Sequence, residues 1–148
     1  MFLTEEDYKA VVDNRALEVI NQSDIANRER AENYAIEEMK GYLKAAKAKN
    51  TGVYPYDIDA AFSATGNNRN PQLVMYACDI ALYHLISWLP QRLGFEIREN
   101  RYKRAIEWLE NVQSGKIILD IPTIQPEPGT NSNNSTVKYG SWTKNQYE

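Results

Sequence analysis

One cysteine and one histidine stand in these 148 residues, and that scarcity removes several kinds of chemistry at once. Cys78 alone allows no internal disulfide, which fits a reducing compartment. His84 alone allows no paired-histidine metal site. The sequence also lacks a glycine-rich phosphate loop, a Cys/His ligand set and a GxSxG turn. Its opening, MFLTEEDYK, is acidic and has no apolar core segment, so it does not read as a signal peptide. A net charge of −3 supplies no global basic field to draw nucleic acid. The expectation is a protein that is not an enzyme, with no cofactor and no metal site.

What the sequence does hold is apolar surface, 43% of residues, enough for the core of one domain. The richest stretch is NPQLVMYACDIALYHLISWL, residues 70–89. Asn70 is a natural N-cap and Pro71 is suited to the first helical position. Pro90 disfavours helical geometry at Leu89 and should stop the helix there. Asp79, His84 and Ser87 are the main polar interruptions after Gln72. A helix apolar nearly all round is buried by neighbours on several sides. A membrane span is disfavoured, because Asp79 and His84 interrupt its middle and no basic residues anchor its ends. The fold class predicted is therefore all-α: a small helical bundle around one buried central helix, with a long loop and an extended C-terminal arm.

The other helices must cover that centre. Thr4 followed by Glu5, Glu6 and Asp7 opens a first helix, with Tyr8, Val11 and Val12 on one face. Asp13 and Asn14 break it, and Ala16, Leu17, Val19 and Ile20 form a second short apolar patch. Ser23 and Asp24, or Asn27, cap a helix running to about Ala46, with Ala31, Ala35, Met39, Tyr42 and Ala46 at three-to-four spacing beside Tyr34 and Leu43. Glu29, Glu32, Glu37, Glu38 and Lys40 fall largely on other faces. A long connection follows from Asn50 to Asn70. Its Pro55 excludes a regular helix there. Val53, Tyr54, Tyr56 and Ile58 suit an extended segment or short strand, and the connection either docks through its aromatics and Phe62 or projects to a partner. Gly66, Asn67 and Asn68 are turn chemistry. A last helix spans about Arg98 to Ser114, burying Tyr102, Ala105, Ile106, Leu109 and Val112, with Trp108 at the border and Gly115 as its closing residue.

Composition changes at Asp120. The domain boundaries read from the sequence are 1–119 for the helical domain and 120–148 for an arm rich in Pro, Asn, Ser, Thr and Gly, too polar to fold by itself. Tyr139, Trp142 and Tyr147 are its natural anchors, with another subunit the favoured place for it to lie.

Cys78 reads as a small buried hydrophobe and His84 as a satisfied core residue rather than a lone base beside Asp79 or Tyr83. A buried Asp79 needs a partner, and Arg101 or Arg104 could supply it. One charge feature is distinctive. Arg92, Arg98, Arg101, Lys103 and Arg104 crowd one segment against only Glu96 and Glu99. Residues 1–60, by contrast, hold eight Lys/Arg and twelve Asp/Glu. Arg98, Arg101, Lys103 and Arg104 are thus candidate interaction residues, for an acidic partner or for passing DNA phosphates. A small helical DNA-binding or regulatory protein built on Arg98–Arg104 is the alternative this allows. Opposite charges at two ends also suit head-to-tail stacking in a ring.

MFLTEEDY, EEMKGYLKA, YDIDAAF, MYACDIALYHL and RYKRAIEWLENVQSGKI, in that order, resemble the phage Mu gp36-like family over about residues 1–122. The last two segments, at their separation, carry most of the resemblance. It implies a mostly helical subunit of the head–tail connector, or adaptor, of tailed phages. In such an assembly about twelve copies form a ring under the portal protein. The ring extends the DNA channel, passes genomic DNA without reading its sequence and offers tail or stopper proteins a surface. The place implied is the virion neck, with the host cytoplasm during assembly. No catalytic residues carry over. The lysine-containing stretch from Ala45 to Val53 and the tail after Pro122 are longer than that family pattern.

Overall fold

In the computed structural model, the described residues are 1–13, 15–17, 25–46, 55–87 and 94–125. They form helices α1 (Glu5–Lys9), α2 (Ile25–Lys44), α3 (Ile58–Ser63), α4 (Pro71–Ser87) and α5 (Phe95–Gln113), with a 3-10 turn at Gly66–Asn68. Residues 15–17 are also helical. No strand is present among the described residues, and the all-α class holds.

Helix α4 is the centre. It packs against α2 and α5 above all, and against α1, while α2 also touches α5 and α3. Leu73, Ala77, Cys78, Ile80, Ala81 and Leu82 are fully buried along it. It begins as its residues dictate: the Asn70 side-chain oxygen accepts from the Gln72 and Leu73 amides at 3.0 and 3.1 Å, with Pro71 at the first position. The helix is described to Ser87, so the expected stop at Leu89 lies outside the described residues.

The inner stripe of α2 is Ala31, Ala35, Met39 and Leu43, an i, i+4 row. Its two alanines leave room for α4 to approach closely. Leu43 belongs to this row. Tyr42 is only half-buried and Tyr34 is exposed, a correction to the face read from spacing. Asn27 lies inside the helix and is not its cap. Ser23, Asp24, Val19 and Ile20 are outside the described residues. Leu17 is buried and Ala16 is exposed.

The connection from Pro55 to Asn70 docks on the bundle, with Ile58, Ala61 and Phe62 buried. Ile58 starts α3 and is not part of a strand, because the Asp57 carboxylate accepts the Ala60 amide at 3.0 Å and caps a helix. Helix α5 starts a turn earlier than its basic residues suggest. Gly94, at φ 73°, takes the left-handed conformation just before it. The other end closes as a Schellman motif: Gly115, at φ 80°, donates to Val112, and Lys116 donates to Asn111, at 3.0 and 2.9 Å.

The chain then stays on its own bundle as far as Ile124. Buried Leu119 donates its amide to the Tyr56 hydroxyl at 2.9 Å. Asp57 donates to the Pro122 carbonyl and Ile124 to the Pro55 carbonyl, both at 2.8 Å, around an antiparallel bridge of Tyr56 with Thr123. The Asn70 side-chain amide reaches the Asp120 carbonyl at 3.1 Å. These bonds seat the beginning of the compositional arm beside the N-terminus of α3.

Candidate functional site

The basic segment of α5 divides by direction. The Arg101 guanidinium donates to buried Asp79 on α4 at 2.6 Å, the partner that an acid on the central helix requires. Arg104 is exposed and pairs with no acid among the described residues. Arg98 is half-buried and donates to the Val11 carbonyl at 3.2 Å, tying α5 to the end of α1. Burial, then the neighbouring charge of Arg101, depresses its affinity for its proton. Lys103 points outward and pairs with Glu99 at 3.1 Å. The four candidates are therefore two internal struts, Arg98 and Arg101, and two outward cations, Lys103 and Arg104. Tyr139, Trp142 and Tyr147 lie outside the described residues.

The other chemically capable groups of α4 are held in packing. Cys78 is fully buried, and burial pushes its thiol above its ordinary value, away from a reactive thiolate. His84 partners neither Asp79 nor a nucleophile. Its Nε2 lies 3.0 Å from Glu38 on α2, whose other oxygen accepts the Tyr102 hydroxyl of α5 at 2.7 Å. Burial would raise the Glu38 carboxyl. The bonds to His84 and Tyr102 outweigh it and hold the group below the usual range. Tyr83 stacks on Tyr102 with ring centres 4.1 Å apart and closes the cluster. One carboxylate thus joins three helices.

The feature that sequence reading missed lies on another face of α2. Met1, Phe2, Asn33, Ile36, Glu37, Lys40, Asp59, Phe62, Ser63 and Thr65 surround a groove of about 690 Å³ between the N-terminal segment, α2 and α3. An inner cleft of about 300 Å³ continues from it past Glu29 and Glu32. The floor is aromatic, with the Phe2 and Phe62 rings 5.0 Å apart. Four carboxylates line groove and cleft, facing Lys40 and the Met1 amine. Lys40 is held by Glu37 at 3.2 Å and lies 5.9 Å from the centre of the Phe62 ring.

Arg69 fixes the N-terminal wall. Its guanidinium donates to the Phe2 carbonyl at 2.7 Å, to both Asp7 oxygens at 2.6 and 3.1 Å, and to the Gly66 carbonyl at 3.1 Å. Burial would raise the Asp7 carboxyl. The Arg69 and Thr4 hydrogen bonds outweigh it and lower it. Glu32, grouped by spacing with the residues that fall largely off the buried face, is instead 2% exposed. One of its oxygens accepts the Tyr8 hydroxyl at 2.8 Å and faces Arg28 Nε at 3.4 Å. Its Oε2 is buried with no hydrogen-bond partner. Burial, only partly offset by Tyr8 and Arg28, raises this carboxyl. Nothing in the spacing of α2 separates Glu32 from its exposed neighbours. It becomes visible only once α1 crosses it.

Among the described residues, no three metal-ligating side chains gather and no helix is long and apolar enough to cross a membrane. Compared with known families, residues 2–138 match the family described as Bacteriophage Mu, Gp36. The chain belongs to that family, which makes it a phage structural or morphogenesis protein. The match runs through the Ala45–Val53 stretch and past Pro122 into the arm. No curated protein and no solved structure matches the chain.

Proposed function

We propose that the chain is a structural subunit of a phage head–tail connector. About twelve copies form a ring docked under the portal protein. The ring extends the channel through which genomic DNA passes and presents a surface to tail or stopper proteins in the virion neck. The observation that carries this reading is the family match, which spans the bundle and most of the arm. The side chains support it. Asp79, His84 and Cys78, the residues with most chemical potential on α4, are engaged in holding helices together. Lys103 and Arg104 face outward on α5, whereas the α2–α3 groove is lined with acids. Arg104 and Lys103 stand among exposed Glu96, Glu107 and Glu110, so what they offer a neighbouring copy's acids in a head-to-tail contact is individual ion pairs.

The DNA-binding alternative loses two of its four cations to the interior, since Arg98 and Arg101 are engaged with Val11 and Asp79. Electron microscopy of the protein with and without portal tests the reading. The expected result is a monomeric or weakly associated protein alone, and rings on the portal. A Lys103→Glu/Arg104→Glu variant should melt like the parent and fail to form rings. Charge reversal at Arg101 would not serve, because it would strand Asp79. Truncation after Gln125, which spares the Ile124–Pro55 bond, should leave the bundle folded and impair assembly. Tight, salt-sensitive binding of short duplex DNA by a monomer indifferent to portal would overturn the connector reading in favour of the regulator.

A further inference from the structure

The acidic groove has an apolar floor and an unfinished carboxylate, and the chain carries a segment of matching chemistry. Met1, on its rim, is 77% exposed, and Ile36 and Phe62 form its floor. Glu29 and Asp59 pair with no cation among the described residues. Glu32, almost wholly buried at the inner end, has an oxygen with no donor. Residues 137–147, VKYGSWTKNQY, carry Lys138 and Lys144 with no acid between them, and the three aromatics Tyr139, Trp142 and Tyr147. The arm leaves the bundle beside this groove: Pro122 and Ile124 bond to Asp57 and Pro55, and Asp59 on the groove wall is two residues further on. Helix α3, along which the groove opens, is six residues, a length of about 9 Å. The stretch from Gln125 to Val137 is rich in Asn, Ser and Thr, with Pro126, Pro128 and a single glycine, and a coil of that length has a root-mean-square span of at least about 19 Å. A tether of that length holds the segment near the groove at an effective concentration of about a millimolar.

We infer that in the isolated chain this groove is a docking site for residues 137–147 of the same chain. The aromatics lie on Phe2, Ile36 and Phe62, and the lysines face Glu29 and Asp59. The inference goes beyond the connector reading and does not depend on it. In that setting it means that a free subunit covers its own acidic surface before assembly.

The test uses the full chain with Ser63→Cys in the groove and Ser141→Cys in the segment; Cys78 is fully buried and does not compete. Under mild oxidation at low protein concentration, the expected product is an internally linked monomer that migrates fast on a non-reducing gel. Adding Glu29→Lys and Asp59→Lys, both at exposed positions, should slow its formation by about fivefold or more, as should high salt. Circular dichroism of the same variants checks that the fold is kept. An unchanged rate in the charge-reversed chain would show that the tether alone brings the thiols together, and would overturn the inference. A ladder of linked dimers would place the segment on a second copy and overturn the intramolecular site. Absence of any disulfide, with both thiols open to a small alkylating reagent, would overturn docking altogether. The outcome is read on the chain alone, so it stands whether or not rings form on a portal.

Discussion

Glu32 and Glu38 lie on the same helix, and their surroundings drive them in opposite directions. Glu38 receives a hydrogen bond on each oxygen, from Tyr102 and His84, and is held ionised. Glu32 is the more deeply buried, has one oxygen served and one not, and is pushed toward its neutral form. Burial acts against the charge at both positions. The number of donors decides which effect wins. The α4–α5 side of α2 is thus finished by its own domain, while the side beneath α1 and the N-terminal segment is not.

Substitutions can break this contrast. The largest difference is expected in packing. Leu82→Ala, in the sealed centre, should cost about 3 kcal/mol, whereas Ile36→Ala, on the groove floor, should cost about 1 kcal/mol; urea denaturation measures both. A smaller difference separates the acids. Glu38→Gln removes charge-assisted bonds to two helices and should cost about 1–2 kcal/mol. Glu32→Gln removes a poorly served buried charge and should change stability at neutral pH by less than about 1 kcal/mol. Equal losses at the two positions would erase the distinction.

The smallest effect is in pH dependence. Glu38 and Asp7 have carboxyls lowered from their ordinary 4.5 and 3.8, so each stabilises the fold above that value and loses its contribution as pH falls toward its folded value. Glu32 is raised, so its ionised form opposes folding at neutral pH and protonation relieves it. Below about pH 4.5 Glu32 is protonated in both the folded and the unfolded chain, so Glu38 and Asp7 decide the trend and Tm should fall on acidification there. The fall should be shallower in Glu38→Gln. Glu32 acts above that value, where its protonation adds stability as pH drops from neutral toward 4.5, and Glu32→Gln should lose that gain; thermal melts across both ranges follow the two effects.

Much of this fold was legible from local rules. Asn70 and Pro71 announced the central helix, Gly115 announced the end of α5, and a buried Asp79 called for an arginine that proved to be Arg101. The limits were tertiary. Spacing on α2 could not distinguish Glu32 from Glu29, because the difference is made by Tyr8 on another helix. A run of four basic residues read as one surface, yet a helix sends neighbours in different directions, and two of the four turn inward. The groove had no signature at all: its walls come from the first two residues, the middle of α2 and a six-residue helix assigned to a loop. The family resemblance rested on the core helices, and the match confirmed it and extended into the arm.

Asn70 serves two masters with one amide. Its oxygen starts the central helix and its nitrogen grips the backbone at Asp120. A pull on the C-terminal tail therefore meets the bonds to Pro55 and Asp57 first and, once past them, is delivered to the start of the central rod. An aspartate there would still begin the rod but would let go of the rope.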